Sequence, residues 1–115
     1  MFIAYVVVSI VLALMLAGSA WAKLTRVDQV VTGVTGLGVP LRWFPFLAAC
    51  ELAGTAGLLV GIAVTPLGIA AAIGVILYFV GALIAHLRVG DTAIVAPLMF
   101  LIIACAALWL TIASM

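Results

Sequence analysis

Charge is what this sequence has least of: four lysines and arginines, three aspartates and glutamates and one histidine in 115 residues. Charged residues make up 6 %, against roughly a quarter in a soluble globular domain. Hydrophobic residues make up 70 %, and the mean hydropathy is +1.63. A soluble chain this short has too high a surface-to-volume ratio to hide so much apolar surface. The solvent for most of it is therefore lipid. The net charge of +1 comes without a basic run, which excludes the electrostatic footprint of nucleic-acid binding. Cysteine is scarce too. Cys50 and Cys105 form no C-x-x-C and lie in different apolar stretches, so both read as small hydrophobes and report no redox compartment. A single histidine is too few for a metal cluster or for a haem held from both sides. The sequence has no glycine-rich phosphate loop and no Ser-His-Asp arrangement.

What remains is apolar helix. A bilayer core takes about 20 apolar residues, and four stretches come close: about Phe2 to Ala22, Phe44 to Val64, Leu67 to Leu87 and Ala93 to Ser114. The expected fold is an all-α membrane protein, a single four-transmembrane-helix domain over residues 1–115. "AGSAWA", ending at Ala22, imitates a signal-peptide cleavage site. The preceding run, however, has no positive start and is too long for a signal peptide's apolar region, so a membrane span is expected there. Spans two and three are joined at Thr65-Pro66, read as the break between them, and spans three and four by "RVGD". The first link is long. Its Val27, Val30, Val31 and Val34 fall at helical spacing with one polar side, which predicts a short interfacial helix between spans one and two. A turn through Gly36, Gly38 and Pro40 follows. Trp21, Trp43 and Trp109 lie near span ends and suit interfacial anchoring.

This threading puts Lys23, Arg26, Asp28, Arg42, His86, Arg88 and Asp91 on one face. All four basic residues share it. The positive-inside rule makes that face cytoplasmic and both termini external, in an integral protein of a bacterial plasma membrane.

Against this background "AACELAGT", residues 48–55, stands out, because Glu51 is a carboxylate within an apolar run. It lies about 10 Å into span two at 1.5 Å per residue. Intramembrane ionisable groups are costly and usually face a bundle interior with a partner. Lys23, His86, Arg88 and Arg42 are within reach of that depth. Thr55 is one turn deeper on the same face, and Tyr78 precedes His86 by two turns. Two readings compete. In one, Glu51 pairs with Lys23 or an arginine and fixes helix register. In the other, Glu51 and His86 line an amphipathic pocket open to the cytoplasmic face, with Lys23, Arg88, Thr55 and Tyr78 around it. Gly54, Gly57 and Gly61 in span two and Gly74, Gly81 and Ala85 in span three are read as close-packing positions.

"GSAWAKL" closing span one, "PFLAACELAGTAGLLVGI" in span two, "HLRVGD" after span three and "LGVP" in the long first link resemble the DoxX-like family. The resemblance covers nearly the whole chain. It implies a small four-helix integral membrane protein. Founding relatives are small subunits of a thiosulfate:quinone oxidoreductase. Bacterial relatives are linked to membrane oxidoreductase complexes in oxidative-stress defence, and a distant animal branch assists assembly of ligand-gated channels. By residue it points to Lys23, Glu51, His86 and Arg88.

The function expected is an accessory or quinone-interacting subunit of a membrane oxidoreductase system. Glu51 and His86 would act at a quinone, with electrons supplied by a partner. The alternatives are a non-catalytic assembly factor, a stand-alone enzyme with Glu51 and His86 as acid and base on a lipophilic molecule, and a proton-coupled transporter. The partners expected are the bilayer, a membrane oxidoreductase or a second copy, and a lipophilic small molecule.

Overall fold

Lipid offers the backbone no hydrogen bonds, so long apolar runs must satisfy themselves as helices. The computed structural model describes residues 2–26, 28–36, 38, 40–90 and 94–115. In order it has α1 (Phe2–Leu24), α2 (Asp28–Thr35), a 3-10 turn (Leu41–Trp43), α3 (Phe44–Val60), α4 (Thr65–Arg88) and α5 (Val95–Ala113). Among the described residues there is no strand. Pro45, Pro66 and Pro97 stand in the first turns of α3, α4 and α5, where a missing N–H costs nothing.

Pro66 therefore begins α4 and does not end α3, which corrects the expected boundary. The reversal falls earlier. α3 stops at Val60, and the Ile62 and Ala63 amides bond back to the Leu59 and Val60 carbonyls to carry the chain round to Thr65. The expected second span, 44–64, is thus α3 plus its turn. The third begins at Thr65 and runs to Arg88. α1, α4 and α5 are long and apolar enough to cross a membrane. α3, with 17 residues, covers about 25 Å.

The predicted helix in the first link is present as α2. Of the positions used to predict the links and the last span, Val27, Leu37, Val39, Asp91 and Ala93 lie outside the described residues. Gly38 takes φ +87°, the left-handed conformation that glycine permits, in the turn after α2.

The four long helices form a ring. α1 packs on α3 and α5, and α4 packs on the same two from the other side. Leu12 and Leu16 of α1, Leu58 of α3, Val75 and Phe79 of α4, and Ala104 and Ala107 of α5 meet in the core. Phe79 also stacks on Phe100 of α5 at 4.5 Å. The outward faces are as apolar as the core: Ile3, Leu14, Leu77 and Val95 are 66–78 % exposed, which only a lipid solvent tolerates. Lys23 and Arg88 close α1 and α4, Arg42 immediately precedes α3, and these ends lie together at one end of the bundle. At the other end the Tyr5 hydroxyl of α1 donates to the Gly61 carbonyl at 2.9 Å, locking α1 to the α3–α4 turn.

Candidate functional site

The α3–α4 hairpin is a seam of small residues. A Cβ built on Gly61 would collide with the Gly68 backbone, one on Gly57 with Ala71, and one on Gly54 with the Val75 side chain. Each step is about one helical turn, so the two helices are in close contact along the seam. The next rung holds Glu51 and Tyr78. The Tyr78 hydroxyl donates to Glu51 Oε1 at 3.2 Å. Two large polar side chains replace small ones there, and the seam opens.

Glu51 is 2 % exposed. The same Oε1 is 2.5 Å from Lys23 Nζ, which α1 brings across at its last turn. Lys23 also donates to Ser19 Oγ at 2.9 Å, one turn back on its own helix. Its side chain is 11 % exposed, so it covers Glu51 on the charged side of the bundle. Glu51 Oε2 is buried and has no hydrogen-bond partner among the described residues. One carboxylate oxygen thus serves two donors, and the other serves none.

Beside this carboxylate lies a half-open cleft of about 530 Å³. Cys50, Glu51, Ala53 and Gly54 of α3 form one wall, and Ala71, Gly74, Leu77 and Tyr78 of α4 the other. Cys50, Ala53, Gly74 and Leu77 are exposed, so the cleft opens sideways, toward the apolar surroundings of the bundle. It exists because Ala53, Ala71 and Gly74 are too small to fill the groove. A Cβ on Gly74 would meet nothing within 4 Å.

The residues read from the sequence therefore divide. Lys23, Glu51 and Tyr78 come together in one network. Thr55 stands next to it but bonds backbone, donating to the Ala13 carbonyl at 3.3 Å and the Glu51 carbonyl at 3.1 Å. It ties α3 to α1 and is not among the residues lining the cleft. His86 is half-buried in the last turn of α4, and Arg88 is exposed just beyond it. Neither is among the lining residues. The cleft beside Glu51 opens between α3 and α4, and Lys23 meets Glu51 from α1 at the charged end without lining it. Sequence reasoning missed the structural part of Cys50, Ala53, Ala71 and Gly74. All are small, and small residues read alike whether they close a seam or leave a gap. Ser19 was missed as well, although its place one turn before Lys23 was a usable signal.

A family model, the DoxX-like family, matches residues 7–107, most of the chain. Comparison with curated proteins and with solved structures returned no match.

Proposed function

The chain belongs to the DoxX-like family, and from that premise we propose that it is an accessory, quinone-interacting subunit of a membrane oxidoreductase system. The observation that carries this is the lateral apolar cleft with a buried carboxylate at its inner wall. Its volume of about 530 Å³ falls in the range of small-molecule sites. A quinone has matching chemistry: a compact ring for the wall at Tyr78, whose hydroxyl leads to the buried Glu51 carboxylate, and an apolar tail for the gap beside Ala53, Ala71 and Gly74. Entry from the side suits a ligand already dissolved in lipid. The accessory role assigns electron transfer to a partner protein. On the positive-inside rule the end carrying Lys23, Arg42 and Arg88 faces the cytoplasm. A C-terminal alkaline phosphatase fusion should then be active and a C-terminal fluorescent-protein fusion dark, and the opposite pair of signals would reverse the orientation.

Gly74→Leu tests the cleft with little cost to the fold, because leucine is the better helix former and a Cβ at this position meets nothing within 4 Å. In lipid nanodiscs the wild-type protein should bind a short-chain ubiquinone or ubiquinol, and Gly74→Leu should weaken that binding at least tenfold. Membranes containing the wild-type chain should also reduce or oxidise quinone faster than membranes containing the variant. If neither redox form binds and the rates are equal, the proposal fails. A second reading, a non-catalytic assembly factor, is favoured by the Lys23–Glu51 pair, which joins α1 to α3 as a structural clamp would. Under it Gly74→Leu changes nothing.

A further inference from the structure

We infer that the charged end of the bundle is a docking surface for anionic phospholipid head groups, held by Arg26, Arg42 and Arg88. The surface is independent of what occupies the cleft. Lys23 is spent on the buried Glu51 carboxylate, so that pair adds no net charge to the rim. Three arginines remain, against the two aspartates left in the sequence, Asp28 and Asp91. Even with both aspartates counted, the rim is positive. All three arginines are exposed. Among the described residues no ion pair or hydrogen bond engages any of their side chains. Neither α3 nor α5, which both start at this end, has an acidic residue in its first turn.

The backbone supplies a second observation. Arg26 follows α1 at φ +54°, with its amide donating to the Lys23 carbonyl at 3.2 Å. Glycine takes this left-handed conformation without the steric cost that a Cβ adds. A cation thus stands where glycine would fit the turn at lower cost.

The neighbours fix the depth. Trp43 and Phe46 near Arg42, and Leu87 beside Arg88, are 50–64 % exposed. Apolar groups so exposed belong among acyl chains, with tryptophan at the level of the head groups. An arginine one residue away from Trp43 or Leu87 then reaches the phosphate layer, where a guanidinium binds phosphate oxygens through paired N–H bonds. A soluble acidic partner would meet the arginines and leave the apolar side chains uncovered, whereas a phospholipid covers both. A zwitterionic lipid brings its own cation to the phosphate, and an anionic one does not. A basic residue at an anionic membrane surface is worth up to about fivefold in such a preference.

The tryptophans provide the readout, because Trp43 lies at the charged end and Trp109 near the other. The full chain carrying Trp43 alone (Trp21→Phe/Trp109→Phe) and the full chain carrying Trp109 alone (Trp21→Phe/Trp43→Phe) are placed in phosphatidylcholine vesicles. These contain brominated phosphatidylglycerol or, at equal mole fraction, brominated phosphatidylcholine. Quenching of Trp43 should give phosphatidylglycerol an association constant at least about fivefold above that of phosphatidylcholine. Quenching of Trp109 should give equal constants. Salt at about 0.5 M, where the Debye length falls to about 4 Å, should weaken the preference at Trp43. Arg26→Gly should lower it while leaving thermal unfolding unchanged or raised, since it removes the charge and the left-handed side chain together. Adding Arg42→Gln and Arg88→Gln should abolish it. Equal quenching by the two lipids at Trp43, the same preference at Trp109, or a triple variant that keeps the preference overturns the inference. Loss of the preference on adding millimolar inorganic phosphate at constant ionic strength assigns the surface to free phosphate and overturns the lipid as its occupant.

Discussion

Replacing Lys23 with methionine is expected to destabilise the bundle by about 3–5 kcal/mol, the usual cost of stranding one member of a buried ion pair. The side chain at position 23 is 11 % exposed and the Glu51 side chain is fully buried, so little solvent is available to take the cation's place. Among the described residues, Tyr78 would remain as the single donor to the carboxylate. The double variant Lys23→Met/Glu51→Met should recover most of the loss, because two packed apolar chains can replace a buried pair at nearly neutral cost. Reversible unfolding in bicelles, followed by tryptophan fluorescence, measures both. If the single variant is as stable as the wild type, Glu51 is not held by Lys23 in the membrane, and the network described above is wrong. The double variant also separates the two readings of function. It should fold, yet lose the buried carboxylate beside the cleft. An assembly role carried by the shape of the bundle would survive it.

That pair was legible in the sequence because it breaks a strong rule. A carboxylate at residue 51 is expensive in an apolar run, so a partner was expected, and Lys23 was one candidate at the right depth beside His86, Arg88 and Arg42. Tyr78 was reachable by the same depth argument once α4 was read as antiparallel to α3. The cleft was not legible. Gly57, Gly61 and Gly74 look equivalent along the chain, and all fit the rule that small residues let helices approach. Only the rotations of α3 and α4 about their axes decide that Gly57 and Gly61 close on their neighbours while Gly74 faces open space. One sequence carries no direct record of those rotations. The same limit explains His86. Its helical spacing from Tyr78 placed it near the same face, but eight residues leave about 80° of rotation, enough to take it out of the cleft. Thr65-Pro66 misled for a different reason. Proline marks a helix boundary without saying which side of it the helix occupies, and here the first turn of α4 takes it.

Gly61→Val carries the second large expected effect, because at this position nothing can yield except backbone. A Cβ on Gly61 would overlap the Gly68 main chain, whereas one on Gly54 meets the end of the Val75 side chain, which can turn aside. The two helices must separate at the hairpin end, at a cost of about 3 kcal/mol, the upper part of the range for overpacking a tight interface. The displacement also pulls the Gly61 carbonyl from the Tyr5 hydroxyl, loosening α1 from the turn. The consequence extends beyond stability. The Gly61–Gly68, Gly57–Ala71, Gly54–Val75 and Glu51–Tyr78 contacts lie along one seam, so a pivot at its closed end changes the spacing at its open end. Gly61→Val should therefore weaken ligand binding in the cleft from some 15 Å away, at 1.5 Å per residue along α3. Gly74→Val, which adds the same side chain where a Cβ meets nothing, serves as the control for helix propensity and should leave stability within about 0.5 kcal/mol of the wild type or raise it. Unfolding both variants in bicelles decides the matter. If Gly61→Val is no less stable than Gly74→Val, the hairpin is not held by contact between its backbones, and the opening of the seam at Glu51 needs another cause.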